Sequence, residues 1–188
     1  MAIESGTGPG NVSAAIVLDQ IELAKELLGE DVVARALAEL SKEHRAELDG
    51  LLPVSWCSLT TAFSIHEAIA HQIGQDVKVW HRTIVRAGIE RTLTTVWRFF
   101  MRLTSVEAIL KRAASIYGKS YDCGCIRAAL VSDDVIEVVL TEWPGVPDFE
   151  LDAIACGFDA VLMIAKKKHS RITFERRPGG ARFEVRLR

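Results

Sequence analysis

The chain has 188 residues, 49% hydrophobic and 26% charged, with a formal net charge of −2. A chain of this size buries roughly 70% of its unfolded surface, so it can form one core without disulfide or metal staples. This balance argues against a wholesale nucleic-acid binder, and the composition is not that of a disordered tail, a collagen or a coiled coil.

The first twelve residues, MAIESGTGPGNV, are glycine-rich and expected to fray. They lack the basic and apolar regions of a signal peptide. Residues 14–28 carry apolar side chains at helical spacing and stop at Gly29. A second stripe, Val32, Val33, Ala36, Leu37 and Leu40, opens at Asp31. Leu51-Leu52-Pro53 is a break. The longest uncharged stretch, 50–66, is too short and too polar to span a membrane. A helix is expected over 59–73, ending at Gly74, and a long helix over 76–102 on the stripe Val77, Trp80, Ile84, Val85, Gly88, Ile89, Leu93, Val96, Trp97 and Phe100. Thr104 and Glu107 fit a capping box, and the helix it opens should bury Val106, Ile109, Leu110, Ala113, Ile116 and Tyr117.

After Gly118 the period changes. Runs 125–131 and 135–141 read as strands joined by Ser132-Asp133-Asp134, then 142–147 as a loop and 148–167 as a helix. Two strands close the chain, 170–175 and 181–187, around Arg-Pro-Gly-Gly. Pairing Phe174 with Phe183 sets Ile172 opposite Val185 and Glu175 opposite Arg182, so apolar faces apolar and acid faces base; a slip of two residues would keep these faces and change the partners. The fold class expected is α+β: one domain over 1–188, mainly helical over 13–118, then strand-rich over 119–188 with one helix.

Charge is unevenly spread: residues 1–52 are net −6, 53–165 net −3 and 166–188 net +7. A solvated charged face accounts for this, and so would packing of the two ends or an acidic partner for the basic one. The four cysteines, Cys57, Cys123, Cys125 and Cys156, read as reduced thiols packed as small hydrophobes. Cys123-Gly-Cys125 has no second pair with which to close a zinc site.

Several strings resemble the superfamily of the 4-vinyl-reductase domain, the heme nitric-oxide-binding domain and the Bet3-type subunits of transport-particle tethers. They resemble most an uncharacterised bacterial, myxobacterial-type group related to these. The strings are Leu48-Asp-Gly-Leu-Leu-Pro-Val-Ser-Trp56, Thr95-Val-Trp-Arg-Phe-Phe-Met-Arg-Leu103 with Ser105-Val-Glu-Ala-Ile-Leu110, and Tyr117-Gly-Lys-Ser-Tyr121 with Gly124. None is a catalytic signature. The resemblance implies a ligand-binding or interaction module, often dimeric and sometimes attached to signalling proteins. Zinc-holding relatives carry Glu-x-x-Cys on the penultimate strand and a further Cys before the last. Here Glu175 is followed at the third place by Pro178, and the last strand is entered through Ala181-Arg182-Phe183 without the further Cys, so no metal is expected. Heme-binding relatives carry a Tyr-x-Ser-x-Arg motif, which this sequence lacks.

His66 and His71 are five apart, roughly 140° apart around a helix, so they share no face. Either alone would suffice as an axial heme ligand, but locally hydrogen-bonded histidines are the simpler reading. No nucleophile elbow and no phosphate-cradling loop occurs, so no enzyme activity is expected. The arginines of the last hairpin lack aromatics for base stacking, so nucleic acid is not expected as a partner.

The aromatics Trp97, Phe100, Tyr117, Tyr121 and Phe158 fall on elements that would meet under the sheet. They line an apolar pocket or fill a core. The expected function is thus a non-catalytic ligand-binding or protein-interaction module in cytoplasmic signalling, with no cofactor, an apolar small molecule or signalling protein as partner, and a homodimer formed around Val85, Gly88 and Leu93. The alternatives are an adaptor with a filled core and a heme-based gas sensor.

Overall fold

A computed structural model describes residues 10–92, 105–164 and 171–187. Strand β1 (Asn11–Ser13) runs directly into helices α1 (Ala14–Leu28), α2 (Glu30–Ala38) and α3 (Lys42–Asp49). Strand β2 (Trp56–Ser58) and helices α4 (Leu59–Gln72) and α5 (Val77–Thr92) follow. The second half holds α6 (Val106–Ser120), β3 (Cys125–Ser132), β4 (Val135–Thr141), α7 (Asp148–Ile164), β5 (Arg171–Arg177) and β6 (Gly180–Arg186). This is the expected α+β class, with strand, strand, helix, strand, strand at the C-terminal end.

The four C-terminal strands form one antiparallel sheet in the order β3-β4-β6-β5. The last hairpin has the register read from the sequence, with Phe174 opposite Phe183, Ile172 opposite Val185 and Glu175 opposite Arg182. Period-two alternation turns Ile136, Val138, Leu140, Phe183 and Val185 to the covered face, where all are buried. Phe158 of α7 comes down on Phe183, and Phe174 lies beside it, with ring centroids 6.4 and 5.7 Å away. Helix α6 runs along β3. The opposite face carries Arg182, bonded to Glu137, and Arg186, bonded to Glu184.

The helical half packs α5 among α1, α4 and α7. Two ion pairs, Arg82 to Asp152 at 2.9 Å and Arg86 to Asp159, tie α5 to α7. Gly88 of α5 stands beside Asp19 of α1, whose carboxylate would lie 4.0 Å from a Cβ there.

Several boundaries differ from expectation, for local reasons. Asn11 and Val12 do not fray: β1 pairs with β2, Asn11 opposite Ser58. Helix α3 carries no buried residue, so it left no apolar stripe to read. It is held by Glu47, whose carboxylate accepts from the Ser58 N–H at 2.6 Å and from the Ser58 and Thr61 hydroxyls. Burial raises the Glu47 pKa, but those donors outweigh it and hold the group below its ordinary value. The cap of α6 is Ser105, whose hydroxyl accepts from the Ala108 N–H at 3.3 Å; Thr104 lies outside the described residues. Ile116, expected inside, is 59% exposed. The β3–β4 turn is tighter than expected, because the ladder runs to Ser132 opposite Val135 after a register shift at Leu130.

Candidate functional site

The expected pocket residues separate. Tyr117 and Tyr121 meet with ring centroids 5.1 Å apart, whereas Phe158 stands on the sheet against Phe183. Trp97 and Phe100 lie outside the described residues.

The two tyrosines belong to a junction of β1, the end of α6 and the start of α7. Asp122 grips the N-terminal strand: its carboxylate accepts from the Asn11 N–H at 2.8 Å and the Asn11 amide at 2.6 Å. The Asp122 N–H returns a bond to the Asn11 carbonyl at 3.2 Å, and Val12 bridges Tyr121. The strap lies so close that a Cβ on Gly10 (φ +90°) would stand 2.2 Å from the Cys123 sulfur. Only glycine meets both demands. Gly124, at φ +71°, likewise makes room for the Tyr117 hydroxyl, which donates to the Cys123 carbonyl at 2.9 Å.

Beneath the strap, Trp143 packs on Tyr121 with centroids 5.6 Å apart, and its buried indole N–H has no partner among the described residues. The Tyr121 hydroxyl donates to Glu150 Oε2 at 2.8 Å. Glu150 is 4% exposed. Burial pushes its carboxyl up to about 7, and the Tyr121 bond only partly offsets this. Burial also raises the Tyr121 phenol, with the Glu150 charge adding to it. Sequence reasoning missed both Trp143 and Glu150. The signal for Glu150 was present: it stands at i+4 from Val146 and i−4 from Ile154, a charge on an apolar line.

A second polar cluster lies where α4, α5 and α7 meet. The His66 and His81 rings are 4.6 Å apart, and Phe149 stacks on His81 at 3.8 Å and meets Phe63 edge-on at 4.8 Å. His66 Nε2 bonds to the Gln20 side chain at 3.1 Å, while the buried Nδ1 has no partner among the described residues. Burial pushes His66 down to about 4 and His81 to about 2, so both rings are neutral at pH 7. His71 instead lies at the surface against Glu39. His81 was legible as part of the stripe Val77, Trp80, His81, Ile84, the i, i+3, i+4, i+7 set.

An open groove of about 490 Å³ runs between α5, α7 and β5, with Ala155, Cys156, Ile172 and Phe174 among its lining and the Arg82–Asp152 and Arg86–Asp159 pairs at its rim. The four cysteines are unbridged. Burial pushes Cys57 and Cys123 up to about 12 and raises Cys125 and Cys156, the reverse of an activated nucleophile. Among the described residues no group of three or more His, Cys, Asp or Glu side chains is placed to hold a metal ion, and no helix is long and apolar enough to cross a membrane.

The architecture is that of H-NOX domains. An Fe(II) unliganded H-NOX variant from K. algicida superposes with a TM-score of 0.68 at 7% identity, covering 94% of this chain and 96% of that one. An H-NOX variant from T. Tengcongensis gives 0.66 at 17% identity over 94% and 96%. An oxygen-binding H-NOX domain related to soluble guanylate cyclases, solved as its oxygen complex, gives 0.58 at 20% identity over 94% of each chain. Neither a family model nor a curated protein matches the sequence. At these identities the likeness establishes the fold, and it meets the heme-NO-binding part of the resemblance read from the sequence.

Proposed function

We propose that this chain is a non-catalytic sensor module on an H-NOX-type fold, which binds an apolar small molecule or a signalling partner and works as a cytoplasmic homodimer. The observation that carries the reading is the superposition over 94% of the chain on domains of which one is an oxygen complex. The raised thiols support a binding role over a catalytic one. The residues proposed for an apolar ligand are Trp97, Phe100, Tyr117, Tyr121 and Phe158, with the adjoining rings of Tyr117 and Tyr121 rather than Phe158 as its centre. For a protein partner, the turn Leu52–Ser55 supports an apolar contact: Ser55 closes it with bonds to the Leu52 N–H and carbonyl, and Leu52, Val54 and Trp56 are exposed together.

The iron in the K. algicida structure favours a second reading, a heme-based gas sensor. Heme needs an axial donor aimed into a slot wide enough for a porphyrin. Among the described residues, His44 is held by Thr61 at 2.8 Å and His71 lies at the surface. His66 and His81 pack ring on ring under Phe149, with no porphyrin-sized gap between them. These residues do not fit the group.

Native mass spectrometry of the purified protein beside its denatured mass tests both readings. An added small mass lost on denaturation is the expected result and gives the ligand class. A bare chain, with no ligand captured from an apolar library, would overturn the small-ligand reading in favour of an adaptor. A heme-sized mass with a Soret band would establish the gas sensor.

A further inference from the structure

Glu150 combines three features that the proposed function does not use. It is a carboxyl buried in the first turn of α7, its one bond among the described residues is to a phenol, and that phenol belongs to the residue on which the N-terminal strand rests. We propose that Tyr121 and Glu150 form a proton-operated latch, closed when Glu150 is protonated, that fastens the strand β1 and the end of α6 to the start of α7.

Among the described residues, the groups that face the pair are neutral or acidic. Tyr117 and Tyr121 come from α6, Asp122 and Cys123 from the loop after it, and Asp148 from α7 itself. Trp143, from the loop before α7, completes the wall. The cation near this end of α7 is Arg176 of β5, which bonds Asp148 at 2.6 Å and the Val146 carbonyl at 2.7 Å. Glu150 itself makes no ion pair among the described residues.

As a neutral acid, Glu150 sits in this junction at little cost. Once ionised, it has a single phenol donor in place of a hydration shell, and a buried unpaired charge must be rehydrated or released. Rehydration requires Tyr121 and the start of α7 to part. Tyr121 carries the bridge to Val12, and its neighbour Asp122 carries both bonds to Asn11. Because β1 is also paired to β2 of the helical half, the proton on Glu150 controls how firmly the two halves are joined through the strap. The latch needs no ligand and is independent of which sensor reading holds.

The test is a pH titration of the full chain with carboxyl-labelled glutamate, followed by NMR from pH 4 to 9, together with amide exchange at Asp122 and Leu59, whose N–H groups bond to Asn11 and Gly10. One carboxyl should titrate two to three pH units above the ordinary glutamate value of 4.5 and vanish in Glu150→Gln. After correction for intrinsic rates, protection of the Asp122 amide should fall by up to about tenfold between pH 6 and pH 8 in the parent, and stay level in Glu150→Gln. Tyr121→Phe should move the midpoint higher, because it removes the donor that favours the ionised form. A Glu150 midpoint among the surface carboxylates would overturn the proposal. So would an equal loss of protection in parent and Glu150→Gln, or a midpoint that falls in Tyr121→Phe.

Discussion

Among the described residues, two clusters of buried titratable groups differ in how they are built. The His66–His81 cluster comes from the middles of α4 and α5, each ring standing on an apolar stripe of its own helix. The Tyr121–Glu150 pair comes from element ends: the C-cap of α6 and the first turn of α7, under a strand that arrives from the N-terminus. Both lack a counter-ion among the described residues, and both therefore favour the neutral form. For a base that means resistance to protonation, and for an acid resistance to ionisation, so the two clusters tilt stability with pH in opposite directions.

The largest effect expected is from Phe149→Ala, which removes the ring stacked on His81 and meeting Phe63. Because Phe149 is half-buried, the loss in unfolding free energy should fall at the low end of aromatic truncations, about 3 kcal/mol in urea denaturation. A loss under 1 kcal/mol would mean that the histidine cluster is held without it.

Acid separates the clusters next. The folded pKa of His66 lies below its unfolded value, so its contribution is present above pH 6.5 and lost as pH falls towards 4. The total is on the order of 3 kcal/mol. His66→Leu should flatten the decline in melting temperature over that range, and an unchanged decline would place the acid sensitivity elsewhere.

Glu150 has the opposite sign. Its folded pKa is raised, so its contribution is present below pH 4.5 and lost as pH rises through about 7. This also amounts to about 3 kcal/mol at most, and in the parent it partly cancels the histidine slope between pH 4.5 and 6.5. Glu150→Gln should therefore steepen the acid decline below pH 6.5 and level the curve above it. The smallest effect belongs to the strap. Asp122→Ala removes two exposed bonds to Asn11 and should cost about 1 kcal/mol, read most directly as faster amide exchange at Leu59. No change in exchange there would mean that β1 is held by β2 alone.

How far each cluster could be read from the sequence follows from its construction. His81 and His66 stand at helical spacing among apolar residues, so their burial was legible, although their contact was not: it joins residues fifteen apart on two helices. Glu150 was legible only as a charge on an apolar line. Its partner Tyr121 was placed under the sheet by its neighbourhood, but nothing local linked it to Val12, because that bridge joins the first strand to a turn over a hundred residues away. Phe158 was correctly set on the inner face of its helix, yet the crossing of α7 takes it to Phe183 and away from the tyrosines.

What the sequence by itself determined was everything carried by a local period: the α+β class, the faces of the last hairpin, and the helices whose stripes exceed two turns. Side-chain spacing of 3.6 or 2 residues is imposed by backbone geometry, so it survives in the linear order. Only the tertiary structure decided that β1 straps the molecule, that α3 exists without a buried face, and which polar groups lose water. Desolvation depends on which elements close over a side chain. No spacing along the chain records that, and at Glu150 it turns a common surface acid into a group that titrates near neutrality.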